Sequence, residues 1–184
     1  MSINRRSFIK TGAMVAVGST ALGSMMTAAD AYAQKMPLRV LTQVEQATLA
    51  SLGGVLATGA EQAGLVHFVD YQLSVDPNDC MLTAKYFQVK PPYVDFYRGG
   101  LSALNKVCKK QFGKAFNEIS KPQAEAVVES LFDGSVEGWQ GPPAMLFYLL
   151  VRSDAVDVVY GTPEGFEKLS VPYMAHIMPP EGWS

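Results

Sequence analysis

Ala144-Met145-Leu146-Phe147-Tyr148-Leu149-Leu150-Val151-Arg152-Ser153-Asp154-Ala155-Val156-Asp157-Val158-Val159-Tyr160 is the most apolar helical stretch beyond the N-terminal region. Pro142-Pro143 precedes it and Gly161 follows as a cap. Met145, Leu146, Phe147, Leu149, Leu150 and Val151 leave its first half almost without a polar face. A helix apolar all round is either the centre of a core or covered by a partner. The rest of the fold is read as helices arranged around it.

Working back along the chain, Thr42 with Glu45 forms a capping box, so a helix starts at Leu41-Thr42 and carries Val44, Leu49, Leu52, Val55 and Leu56. Gly53-Gly54 either weakens that helix or admits another backbone. A second helix is expected from Glu61 to Leu73, ending before the turn cluster Asp76-Pro77-Asn78-Asp79. Tyr86-Phe87-Gln88-Val89 suits a short strand or irregular chain. After Pro91-Pro92 a third helix runs from Tyr93 to Phe112 with Gly113 as its C-terminal cap. Ser120, Pro122 and Gln123 open a fourth, which carries Val127, Val128, Leu131 and Phe132 and stops at Gly134. Beyond Gly161, four prolines and no periodicity predict an extended, wrapping tail anchored by Trp183. No repeat and no series of strands is visible. The expectation is mainly α: one small helical domain of about five helices with a proline-rich C-terminal tail.

The N-terminus reads differently. Asn4-Arg5-Arg6-Ser7-Phe8-Ile9-Lys10 is followed by an apolar run diluted with Gly and Ser, and then by Ala31-Tyr32-Ala33. That layout predicts a twin-arginine (Tat) export signal over 1–33, with Arg5, Arg6, Phe8 and Lys10 as its head and Ala31 and Ala33 as its cleavage motif. A short membrane anchor is the other reading. A domain over 34–184 would then begin at Gln34.

The chain has 15 Lys+Arg and 17 Asp+Glu. Arg5, Arg6, Lys10 and Asp30 fall in the leader, so 12 cations face 16 anions in the remainder, a net charge of −4. A mildly acidic domain without a basic patch argues against nucleic acid and against a polybasic membrane contact. The twin-arginine route carries folded proteins, typically with cofactors, yet no cofactor motif follows. There is no G-x-G-x-x-G, no G-x-x-x-x-G-K, no C-x-x-C-H and no Cys/His cluster at metal spacing. His67 and His176 are the only histidines, and surface or packing roles suit both. Asp154 and Asp157, three apart, read as a solvated edge rather than an acid–base pair. Cys80 and Cys108 either form a disulfide, as an oxidising compartment allows, or remain separate thiols with Cys108 buried on its helix.

Several stretches carry a resemblance: the Leu41-Thr42 helix, Ala63 to Leu73 (AGLVHFVDYQL), Tyr97 to Leu104 (YRGGLSAL), Phe116 to Ser120 (FNEIS), and Val159-Tyr160-Gly161 with Pro163. Their order resembles that of the gluconate 2-dehydrogenase subunit 3 family over most of the chain after the leader. The stretch after the first helix is shorter than usual, and the ending Met178 to Trp183 is altered.

The resemblance implies a noncatalytic subunit of a periplasmic, membrane-associated complex that oxidises a sugar or sugar acid. It places FAD in a large dehydrogenase subunit and haem c in a multihaem cytochrome c subunit, with no cofactor in this chain. It also implies a role in assembly and Tat export of the flavoprotein, with the Tat translocase as a transient partner and membrane association only through the complex. Met145, Phe147, Tyr173 and Trp183 are then the candidate partner surface. Two other readings are a free-standing periplasmic binding or scaffold protein and a small enzyme using His67 or His176. Activity in the isolated chain would mark the enzyme, and a stable monomer that copurifies with nothing would mark the scaffold.

Overall fold

The computed structural model describes residues 26–171. Arg5, Arg6, Phe8, Lys10, Tyr173, His176 and Trp183 lie outside them. Among the described residues there are seven α-helices and no strand: α1 (Ala28–Ala33), α2 (Gln43–Leu56), α3 (Leu65–Ser74), α4 (Tyr93–Phe112), α5 (Lys121–Asp133), α6 (Ala144–Tyr160) and α7 (Pro163–Lys168). Five of them have seven residues or more. Short 3-10 turns at Thr83–Lys85 and Phe116–Glu118 link them.

Local chemistry sets most of the boundaries. Thr42 and Glu45 close their capping box at α2, with Glu45 Oε2 accepting from the Thr42 amide at 2.7 Å. Ser120 and Gln123 do the same at α5. Gly113 and Gly134 end α4 and α5 in the left-handed conformation, at φ 72° and 75°.

The apolar helix α6 is the hub. It touches α2, α3, α4, α5, α7 and the Thr83–Lys85 turn. Phe147, Leu150, Val151 and Ala155 are fully enclosed. Burying a side chain of the size of Leu or Phe stabilises by about 1.5–3 kcal/mol, so these positions tie the layers together. Of the two readings of this helix, its own core is what covers most of it.

Three local expectations are corrected. Residues 57–64 form turns, and α3 begins at Leu65, because Gly59 and Gly64 adopt φ 90° and 83° and interrupt helical continuity. Gly53 makes room for a side chain and not a backbone: a Cβ there would lie 2.4 Å from Leu65 Cδ2. Of the two readings of residues 86–89, the irregular chain is the one observed, and the Asp154 carboxylate holds the preceding Thr83 amide. The beginning of the tail is helical, because Thr162 caps α7 by accepting from the Gly165 amide at 3.0 Å. The packed body also reaches upstream of Gln34, since α1 lies on α3.

Candidate functional site

Two buried polar groupings and one exposed apolar surface are the features that could carry function. The first grouping centres on Asp154, which is 1% exposed and therefore not a solvated edge; Asp157, one turn on, is exposed. The Tyr97 hydroxyl donates to one Asp154 oxygen and the Thr83 amide to the other, at 3.2 Å. Burial pushes the Asp154 carboxyl up to about 6, against the opposing pull of the Tyr97 and Thr83 hydrogen bonds. Tyr97 is fully enclosed, and burial, followed by the charge of Asp154, raises its phenol well above the usual value. Neither group meets an open cleft. Together they fasten the Thr83–Lys85 turn to α4 and α6.

The second grouping lies on α3. Asp70 accepts from three consecutive backbone amides, Arg39 at 2.7 Å, Val40 at 2.9 Å and Leu41 at 2.8 Å. Gln72 accepts from the Met81 amide at 2.7 Å. His67 Nε2 lies 3.1 Å from the Met36 carbonyl, which requires the ring proton on that nitrogen, and buried Nδ1 has no partner. One element thus holds both the segment before α2 and the loop after α3. A shallow, half-open depression of about 510 Å³ adjoins His67, lined also by Tyr32, Met36, Leu41 and Gln46. No carboxylate lines it, so His67 has no acid–base partner there.

Cys80 and Cys108 are separate buried thiols. Of the two readings the sequence left open, the structure has the separate thiols, with Cys108 buried on α4, and not the disulfide. Burial pushes the Cys108 thiol up to about 11 and raises that of Cys80 as well. Among the described residues, no group of three His, Cys, Asp or Glu could hold a metal, and no helix is long and apolar enough to cross a membrane.

The exposed surface is more distinctive. Met145 is 54% exposed on the first turn of α6, and Tyr148 follows one turn later on the same side. The Tyr148 ring meets that of Phe132 on α5 with centroids 5.3 Å apart, and Phe132 is 57% exposed. Tyr86 and Phe87 project separately from the loop after the Thr83–Lys85 turn. Phe147, expected beside Met145 on a partner surface, is 0% exposed and packs between Phe96 and Trp139 with centroids at 6.2 and 5.7 Å. Its position on α6 faces inward because Gly100 on α4 leaves a hollow for the ring. Sequence reasoning alone misses Phe132, Tyr86 and Phe87 as surface residues. The adjacent aromatics in the Tyr86-Phe87 loop are a usable signal, whereas Phe132 sits in an apparently continuous apolar face.

Residues 43–179 match a family model described as gluconate 2-dehydrogenase subunit 3. No curated protein and no solved structure matches the chain.

Proposed function

The chain belongs to the gluconate 2-dehydrogenase subunit 3 family, and from that premise we propose that it is the noncatalytic small subunit of a periplasmic, FAD-dependent sugar or sugar-acid dehydrogenase. A protein of this family is a subunit and works in a complex with other gluconate 2-dehydrogenase subunits. In the proposed complex the flavin lies in a large subunit and haem c in a cytochrome subunit, which attaches the assembly to the membrane. The twin-arginine head at Arg5-Arg6 exports this chain together with the folded flavoprotein.

The observation that carries the reading is the Phe132–Tyr148–Met145 surface on α5 and α6. Exposed aromatic and Met side chains grouped in this way are typical anchors of a protein interface. The buried carboxylates support the same reading. Asp154 holds the Thr83 amide and the Tyr97 phenol, Asp70 holds three backbone amides, and a carboxylate so engaged is not free to move protons for a substrate.

Affinity capture of the tagged chain from periplasm and membranes tests this, with absorbance read on the eluate. Flavin and haem c bands accompanying a large partner are expected, and Arg5→Lys with Arg6→Lys should strand that partner in the cytoplasm. A colourless, lone, monodisperse chain would overturn it.

A further inference from the structure

The segment just before Gln34 is held more firmly than the end of a leader requires. At the start of α1, Thr27 Oγ1 accepts from the Asp30 amide at 3.0 Å, and the Asp30 carboxylate accepts from the Thr27 amide and hydroxyl at 3.1 and 2.7 Å. Ala28 and Ala31 are 4% and 0% exposed. The domain presents a shaped seat for them. Gly64 stands at φ 83°, and a Cβ there would lie 2.1 Å from the Ala28 carbonyl oxygen, so the two backbones meet where only glycine fits.

The chain on the other side of the Ala33–Gln34 bond is equally fixed. The amides of Gln34, Lys35 and Met36 donate to the carbonyls of Asp30, Tyr32 and Ala31 at 2.9, 3.0 and 3.0 Å. The Tyr32 ring stands edge-on to His67 with centroids 6.4 Å apart, and His67 takes the Met36 carbonyl. Asp70 then secures residues 39–41. A protease that reads A-x-A must draw the chain out in extended form with both small side chains accessible, and such cutting falls on exposed, loosely held backbone. Here Ala31 is helical and enclosed.

We propose that Thr27–Ala33 is a built part of the folded domain, closing the Ala33–Gln34 bond to processing, so that an exported chain still begins upstream of Thr27. The consequence for export rests on the twin-arginine reading; the docking does not.

Two measurements on the full-length chain test it. Hydrogen exchange on the purified protein should show the Gln34, Lys35 and Met36 amides slowed by roughly 100-fold or more relative to unstructured peptide. Exchange there at the unstructured rate overturns the docking. The intact mass of chain recovered from periplasm and membranes should correspond to a start before Thr27, and a start at Gln34 overturns the protection. Ala28→Glu charges the seat and leaves Ala31-Tyr32-Ala33 unchanged, so it should release α1 and allow cutting after Ala33. Fast exchange in that variant without any cutting would show that docking is not what protects the bond, which also overturns the proposal. If Arg5→Lys with Arg6→Lys leaves the location of the chain unchanged, the export reading fails, and the exchange result alone decides the docking.

Discussion

The ring of Phe147 occupies the space that a side chain on Gly100 would need: a Cβ on Gly100 would lie 2.2 Å from both Cδ2 and Cε2 of that ring. Gly100 is buried in the middle of α4, where glycine costs about 1 kcal/mol of helix propensity relative to alanine. The close approach of α4 and α6 offsets that cost. Gly100→Ala should therefore destabilise by about 1–3 kcal/mol through overpacking, despite the better helix former. Phe147→Ala should cost about 3–5 kcal/mol through the cavity it leaves. Combining Gly100→Ala with Phe147→Leu should cost less than the two single changes added together, because the smaller side chain relieves the clash. Urea unfolding followed by circular dichroism measures all of these, and strict additivity would contradict the contact.

Asp154 should impose a pH dependence with an unusual sign. Its carboxyl is raised from 3.8 to about 6 in the folded chain by burial. The native state then binds the proton more tightly than the unfolded state does. The stabilisation is fully present below about pH 4 and is lost as pH rises through about 6. The amount is on the order of 3 kcal/mol, since each tenfold difference in proton affinity is worth about 1.4 kcal/mol. Asp154→Asn cannot titrate. The stability difference between wild type and this variant should therefore drift by that amount between pH 4 and 7, with wild type losing ground as pH rises. A difference that stays constant across the range would show that Asp154 does not hold its proton in this way.

The thiols give a chemical check on the core. Cys80 and Cys108 are buried and separate, and burial disfavours the reactive thiolate in each. Iodoacetamide at neutral pH should leave the native protein unmodified over the time in which free cysteine reacts fully. In denaturant without reductant it should add two labels, read by intact mass. Zero labels under the second condition would mean the two sulfurs are joined.

These three cases also show what sequence could and could not reveal. The capping pairs Thr42 with Glu45 and Ser120 with Gln123, and the stops at Gly113 and Gly134, are local hydrogen-bond and backbone facts. They place α2, α4 and α5 nearly residue for residue. What escapes depends on contacts remote in sequence. Asp154 is buried because Tyr97, 57 positions away, donates to it. Phe147 faces inward because Gly100 makes room, although its helical neighbours Met145 and Tyr148 do not. The late start of α3 follows from Gly64, whose left-handed backbone abuts Ala28 at the start of α1. A helix as apolar as α6 has no periodic signal to say which residues turn outward, so its surface can be read only from the fold.

Met145 and Phe132 are where that outward surface can be tested. Both are more than half exposed, so Met145→Ser and Phe132→Ser should each leave stability within about 0.5 kcal/mol of wild type. If the flavoprotein covers them, each loses a buried apolar contact in the complex. Interface anchors of this kind cost about 2 kcal/mol or more when truncated, which is roughly a 30-fold loss of affinity. Val44→Ser is the matched control: Val44 is 65% exposed on α2 and lines a depression with Arg98 and Asn105 of α4. Capture of flavin-containing partner at limiting concentration should fall sharply for the first two variants and remain unchanged for the third. Equal capture by all three would move the interface off α5 and α6. The next candidates would then be Tyr86 and Phe87, the other aromatic side chains left open to solvent among the described residues.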